Sequence, residues 1–288
     1  MVQGSNIKIV PHRGGLFENY ENSLKAFAHC KNIGAFGVEL DVHRTKDGQM
    51  IVCHDHHLLR ITGQNELTTD LHYSEVAPYL NEISPVYTDN TFKKVNSEKE
   101  RPPLFEDVLK LLKDSDIFVN VDVKSNTAED IVDTCKLIAK HGFQDRAIVG
   151  CNNEAKCKQV LQSIGMDLPV FFNVREVFKV LFGIIFLTLP FLSFKADHLG
   201  ITGVFESMKR DANHGASAVV RFGVQFTAIF TPVMPLVNWH MKRRGIPVSY
   251  WTLNTEKDFK AAIYLGANCI MTDRPTLLKE FLIREKLY

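Results

Sequence analysis

Short apolar stretches alternate with amphipathic ones along the whole chain. Val38-Glu39-Leu40-Asp41-Val42 and Val119-Asn120-Val121-Asp122-Val123-Lys124 repeat with period two, the period of a strand, with apolar side chains on one face and polar ones on the other. Strands are predicted over Ile7–Val10, Phe36–Val42, Ile117–Val123, Ala147–Gly150, Leu168–Phe172, Ala218–Phe222, Pro247–Leu253 and Asn268–Thr272. Helical patterns fill the gaps. Asn22 or Ser23 caps one whose Leu24, Phe27 and Ala28 share a face, and Thr127–His141 is another, ended by Gly142. Strands mostly followed by helices predict a (β/α)8 TIM barrel rather than an open sheet. Two stretches break the alternation. Residues 55–103 are polar and turn-rich, an insertion after the second strand, and residues 174–215 carry an apolar run between strands five and six. One barrel domain over 7–288 is expected.

The face of a barrel strand that meets the helices is apolar, so Glu39, Asp41, Asn120, Asp122 and Lys124 should point inward. They fall at the C-terminal ends of strands two and three, where barrel active sites are built. Three converging carboxylates repel unless a cation, a proton or an ammonium offsets them. One reading is an internal ion-pair network around Lys124. The other is a hard divalent cation, Mg2+ or Ca2+, held by oxygen ligands, and two nearby histidines favour it. No His or Cys set has structural-zinc spacing. His12 follows the first strand in His12-Arg13-Gly14-Gly15, where small residues let backbone N–H groups approach an anion and Arg13 can grip a phosphate. His54 follows a strand at Met50–Cys53. His29, His56, His57, His72, His141, His198, His214 and His240 read as surface or hydrogen-bonded residues.

The ordered blocks His12-Arg13-Gly14-Gly15, Glu21-Asn22-Ser23, Gly37-Val38-Glu39-Leu40-Asp41-Val42, Thr45-Lys46-Asp47-Gly48 and His54-Asp55-His56-His57-Leu58-Leu59-Arg60-Ile61-Thr62-Gly63 resemble the glycerophosphodiester phosphodiesterases. Tyr250-Trp251-Thr252-Leu253-Asn254 and Gly266-Ala267 with Met271-Thr272-Asp273-Arg274-Pro275 resemble that family's last two strand ends. The resemblance implies a TIM barrel of the phospholipase-C-like phosphodiesterase type and an acid–base pair at His12 and His54. It further implies a divalent metal on Glu39, Asp41 and Asp122, and a lysine at Lys124 in range of phosphate or carboxylate. Many members carry Glu where this chain has Asp122, one methylene shorter.

Composition narrows the setting. A formal charge of +1 gives no general pull toward nucleic acid. Six cysteines without a C-x-x-C pair, and a short polar N-terminus without a signal peptide, predict reduced thiols in an intracellular protein. Val180–Phe194, flanked by Lys179 and Lys195, carries no charge and is too short for the roughly 20 residues that cross a bilayer. An exposed flap on the catalytic face, with Phe186, Leu187 and Trp251 lining the substrate, would suit an acyl chain or a membrane surface. A similar run ending in Leu-Pro-Phe occurs in the family's lysophospholipase D branch, so a lysophospholipid substrate and membrane association are the leading expectation. The alternatives are a diesterase for small deacylated glycerophosphodiesters and a non-catalytic lipid-binding barrel.

Overall fold

The strand that fixes the rest is β2 (Gly37–Arg44), buried along nearly its whole length. The structure, a computed structural model, describes residues 7–85, 92–94, 99–125, 127–171, 174–194, 197–201 and 229–288. In chain order the strands are β1 (Lys8–Pro11), β2, β3 (Met50–Val52), β4 (Glu82–Ile83), β5 (Phe92–Lys93), β6 (Phe118–Val123), β7 (Ala147–Gly150), β8 (Leu199–Ile201), β9 (Val248–Tyr250) and β10 (Cys269–Thr272). The helices used below are α1 (Leu24–Asn32), α2 (Leu59–Thr62), α3 (Phe105–Leu112), α4 (Ala128–Lys140), α5 (Glu154–Ser163), α6 (Val174–Ile185), α7 (Met234–Arg243), α8 (Glu256–Tyr264) and α9 (Pro275–Arg284).

Parallel pairing runs β2–β6–β7 and β8–β9–β10–β1. Single bridges Val149↔Val170 and Phe171↔His198 join β7 to β8, and the Phe36 N–H donates to the Ile9 carbonyl at 3.0 Å between β1 and β2. The ring therefore closes as a (β/α)8 barrel. The fifth strand is only the bridged pair Val170–Phe171, within the expected Leu168–Phe172. The ring of Phe171 presses on Gly150, where an added Cβ would lie 2.1 Å away, so that crowded position needs glycine.

The sixth position differs from expectation. Leu199–Ile201 pairs directly with β9 and fills it. The expected strand Ala218–Phe222 lies outside the described residues, as do Lys195 and His214. Leu199–Ile201 falls inside the expected excursion 174–215, since a strand of three residues shows no alternation.

Alternation in β2 and β6 comes out as expected. Val38, Leu40, Val42, Val119, Val121 and Val123 pack in one core with Phe27 of α1, Phe105 and Leu109 of α3 and Ile131 of α4. Burying each contributes about 1.5–3 kcal/mol, so a one-residue slip that swapped the faces is strongly disfavoured. Ser23, rather than Asn22, caps α1 by accepting from the Ala26 N–H at 3.1 Å. Thr127 caps α4 in the same way, and Gly142 follows it at φ 73°. The insertion after β2 forms a small core of its own around Tyr20, Leu58, Ile61 and Tyr79.

The apolar run does not emerge on the catalytic face. The helix α6 starts directly after the fifth strand, runs back along the barrel and ends in a turn that leads to the start of β8. There the Leu192 carbonyl accepts from Arg244 at 2.7 Å, and Arg244 lies in the turn that enters β9 from its N-terminal side. Phe186 and Leu187 thus belong to the rim opposite His12, Asp122 and Asp273. A helix that follows its strand without delay must carry its far end to that rim.

One fold-level consequence is measurable. His198, largely buried and 2.8 Å from the Ser249 hydroxyl, has its pKa pushed down to about 4 by burial, with Lys8 adding to the effect. The folded chain keeps it neutral while the unfolded chain protonates near pH 6.5, so its contribution is full above that value and lost as pH falls toward 4. Replacing His198 with Asn should shrink the loss of stability between pH 7 and pH 5 by about 1–2 kcal/mol in thermal melts. An unchanged pH dependence would refute this.

Candidate active site

Two imidazoles, each fixed by a carboxylate, face a pair of strands that carries three more carboxylates. Parallel register sets Glu39 beside Asn120 and Asp41 beside Asp122, all on the inner face of β2 and β6. His12 begins a tight turn after β1 in which Arg13 takes φ 51° and Gly14 and Gly15 take φ 77° and 94°. A Cβ on Gly14 would meet Ala26 at 2.7 Å and one on Gly15 would meet Pro275 at 2.8 Å. The glycines therefore serve close packing. Two of the turn's amides are already engaged, Arg13 N–H with Glu39 Oε2 at 2.9 Å and Gly15 N–H with the His12 carbonyl at 2.8 Å.

The His12 Nδ1–H donates to Asp273 Oδ1 at 2.7 Å, and Nε2 lies 3.9 Å from Glu39 Oε2. Asp273 is held by Asn254, whose amide donates to Oδ2 at 2.7 Å while its oxygen accepts the Asp273 N–H at 2.8 Å. Across the site, the His54 Nδ1–H donates to Asp55 Oδ1 at 2.7 Å. Arg60 ties Asp55 to Glu21, which it grips with two nitrogens at 2.7 Å each. The His54 carbonyl accepts from His43 Nε2 at 3.1 Å.

Burial alone would lower the His12 pKa, but Asp273 and Glu39 outweigh it and raise it. His54 goes the other way, lowered by burial despite its bond to Asp55, with Arg13 and Lys124 adding to the fall. Opposite pressures on two imidazoles are what an acid–base pair requires.

The carboxylates differ as sharply. Lys124 Nζ donates to Asp41 at 2.8 Å and to Asp122 at 2.6 Å. Burial works to raise Asp41, but Lys124 and Arg13 hold it well below the usual range. Burial and then Asp41 push Glu39 up to about 7, and burial also raises Asp122. Six carboxylates (Glu21, Glu39, Asp41, Asp55, Asp122, Asp273) share this network with three fixed cations, Arg13, Arg60 and Lys124. Asn120 Oδ1, next to Glu39 in register, is buried without a hydrogen-bond partner. Among the described residues no three His, Cys, Asp or Glu side chains gather closely enough to hold one ion, because the Lys124 ammonium stands between Asp41 and Asp122.

The structure thus brings together His12, His54, Glu39, Asp41, Asp122 and Lys124. Arg13 is near but not free: it is buried, with Nη1 3.2 Å from Glu21 and Nε 3.5 Å from Asp41, so its guanidinium faces carboxylates rather than the opening. A cleft of about 600 Å3 opens beside His54, lined by His43, Asp55, His56, Arg60 and Lys124 among others. Trp251 is half-exposed at the C-terminal end of β9. Phe186 and Leu187 lie on the opposite rim and line none of this. Missed at the level of sequence were the partners Asp273, Asn254, Asp55 and Arg60, and His43. The last was within reach, since it is the next inward position after Glu39 and Asp41 in β2.

Comparison with known proteins bears on the family and the fold. The model of the glycerophosphoryl diester phosphodiesterase family matches residues 12–176. The human protein named lysophospholipase D GDPD1 is 32% identical over 279 residues, covering 96% of this chain and 86% of that protein. Among solved structures, a phosphodiesterase from Oleispira antarctica in complex with the product sn-glycerol-3-phosphate superposes with TM-score 0.68 at 17% identity, covering 96% of each chain. A glycerophosphodiester phosphodiesterase from Thermotoga maritima does so with TM-score 0.64 at 18% identity, covering 96% of this chain and 99% of that one. These two likenesses bear on the fold.

The histidine anchors can be tested without any substrate. Since Asp273 holds the His12 pKa up, Asp273→Asn should move the His12 titration to lower pH in an NMR experiment on ring protons. Asp55→Asn should lower the His54 titration further. Unmoved titrations would mean that the two ring-to-carboxylate bonds are not formed in solution.

Proposed function

The chain belongs to the glycerophosphoryl diester phosphodiesterase family, a family of phosphoric diester hydrolases, and we propose that one barrel domain, residues 7–288, hydrolyses lysophospholipids by a lysophospholipase D reaction. The products would be lysophosphatidic acid and the head-group alcohol. The observation that carries the chemistry is the pair of carboxylate-anchored imidazoles, His12 on Asp273 and His54 on Asp55, across a carboxylate-rich floor. The head-group reaction takes its support from the name of the human relative, which spans nearly the whole chain. Membrane association belongs to the same reading, because lysophospholipids partition between water and lipid.

Glu39, Asp41 and Asp122 would hold a hard divalent cation, Mg2+ or Ca2+, once the Lys124 ammonium moves from between Asp41 and Asp122. Glu39, Asp41 and Asp122 offer oxygen donors, the network carries more carboxylates than fixed cations, and Asn120 Oδ1 is an unpartnered oxygen beside Glu39. A bound cation would supply Lewis-acid stabilisation of charge on the phosphoryl oxygens. The chain's own groups do the rest. Lys124, which lines the cleft, contacts a phosphate oxygen, and Arg13 contributes a fixed positive charge behind it rather than a direct grip. One histidine takes the proton from the attacking oxygen, whether of water or of a free glycerol hydroxyl. The other protonates the alkoxide as the P–O bond breaks. Asp273 and Asp55 keep each ring in the tautomer that leaves Nε2 free. Trp251 lines the substrate at the end of β9.

A second reading has its own support. With Phe186 and Leu187 on the opposite rim, Leu59 is the one aliphatic side chain among the described residues lining the cleft, a small apolar surface for an acyl chain. A small deacylated diester giving glycerol 3-phosphate would need none, and the Oleispira structure is a complex with that product.

Changing His12 or His54 to Ala should lower kcat on an aryl phosphodiester by about 10²–10⁴-fold in a folded protein, while His56→Ala stays within a few-fold. A chelator should abolish turnover, Mg2+ or Ca2+ should restore it, and Glu39→Gln should raise the metal concentration required. Near-wild-type turnover by His54→Ala, or indifference to chelation, would defeat this assignment.

Substrate class is settled by kcat/KM for lysophosphatidylcholine against glycerophosphocholine. The lysophospholipase D reading expects the acylated substrate to be preferred by at least about tenfold, since each methylene buried contributes about 0.8 kcal/mol. Preference for glycerophosphocholine would select the second reading.

A further inference from the structure

We propose that the apolar tip after α6, together with the basic end of α7, is a docking surface for an anionic lipid bilayer on the rim opposite the catalytic cleft. This deepens the membrane association of the proposed function and rests on that part of the reading, while its observations are independent of the catalytic chemistry.

The outer side of α6 is apolar where a surface helix is normally polar. Phe178, Phe182 and Phe186 form a ladder at four-residue spacing, with ring centroids 6.4 and 6.5 Å apart. Phe186, Leu187 and Phe191 are 68%, 82% and 86% exposed, while Val180 and Leu189 anchor the tip in the core. Leu187 takes φ 54° at the helix end, and the following Thr188 N–H returns to the Gly183 carbonyl at 2.8 Å. Glycine is the usual residue at such a left-handed position. A branched apolar side chain there, almost fully in water, costs the fold and gains no packing.

Charge identifies the occupant. Leu236 and Trp239 are exposed on α7, and the Arg243 guanidinium lies 4.9 Å over the Trp239 ring. The Phe194 ring centroid lies 5.3 Å from the Lys179 ammonium and 4.8 Å from the Arg244 guanidinium, which joins the tip to the end of α7. Residues 177–194 and 229–255 contain no Asp or Glu, whereas Lys242, Arg243 and Arg244 are cationic; Lys179 is cationic too but lies 3.5 Å from the buried Glu176. A second copy would bring the same cations face to face. Anionic headgroups satisfy them, while the aromatic and aliphatic tips enter the headgroup–acyl boundary. No described helix is long and apolar enough to cross the membrane, so the chain would lie on the bilayer through this rim. The catalytic mouth would then face away from the docked surface.

The test is co-sedimentation of the full chain with phosphatidylcholine vesicles, with and without phosphatidylserine. The wild type should pellet with the phosphatidylserine vesicles and release at high salt. A Phe186→Ser, Leu187→Ser, Phe191→Ser variant and a Lys242→Glu, Arg243→Glu variant should each lose about tenfold or more in vesicle partition. Leu187→Gly, which relieves the backbone, should also weaken binding while its melting temperature holds or rises. Melting temperature and aryl phosphodiester turnover should otherwise stay at wild-type values, since none of these residues belongs to the catalytic cleft. Vesicle binding is read without catalysis, so an inactive enzyme that docks would sink the hydrolytic reading alone. Equal pelleting of wild type and variants, equal binding to neutral vesicles, or a dimer abolished by the triple Ser change would each overturn the docking proposal.

Discussion

Asp41 is the charge around which the site is organised. It is almost fully buried, and an isolated carboxylate there would cost several kcal/mol or simply protonate. Three separate pieces of chain prevent this. Lys124 reaches it from just past β6, Arg13 approaches from the turn after β1, and the Asn22 amide donates to it at 2.9 Å from the entry to α1. Asn22 adopts φ 57° to do so, a conformation that Asn tolerates better than most residues. The same contact explains why Ser23 rather than Asn22 caps the helix. Removing any one partner leaves a buried charge short of compensation, so fold and site are coupled at this carboxylate.

The coupling reaches both ends of the chain. The pairing of β1 with β10 sets Pro11 beside Thr272, and so brings His12 to Asp273 across 261 residues of sequence. Glu18 strengthens that closure by accepting from the Thr276 N–H and hydroxyl at the start of α9. His12 is therefore oriented only when the barrel is closed. His54, by contrast, is oriented by its neighbour Asp55 and by Arg60 within the insertion after β2. One imidazole reports on global closure and the other on a local loop, although both face the same carboxylates.

What the sequence could disclose followed from this physics. Alternating valines and carboxylates in β2 and β6 are legible because a slip by one residue reverses the faces, so the pattern is strictly held. The family blocks around His12, Glu39 and His54 are legible for the same reason: the chemistry fixes their spacing. The sixth strand was not, because Leu199–Ile201 is three residues long and holds a glycine, with no period to detect. Nor was the engagement of Arg13. A local motif shows an arginine next to a histidine, but it does not show that Glu21 and Asp41 will already occupy the guanidinium.

The misplaced apolar run has a different origin, in connectivity rather than composition. In a parallel barrel every segment between strands visits both rims, first the catalytic one and then the other. A run between strands five and six can emerge on either. Which one it takes depends on whether a helix comes before it or after it. Here α6 starts immediately, so its first turns belong to the catalytic side and Phe186, Leu187 and Phe191 to the far side. That ordering separates two demands that would conflict at one mouth. A cleft holding Lys124 among carboxylates needs water excluded and dipoles fixed, whereas a surface of exposed aromatics tends to associate with whatever apolar matter it meets. Placing them at opposite ends lets the chain keep an adhesive rim without exposing its charge network to it.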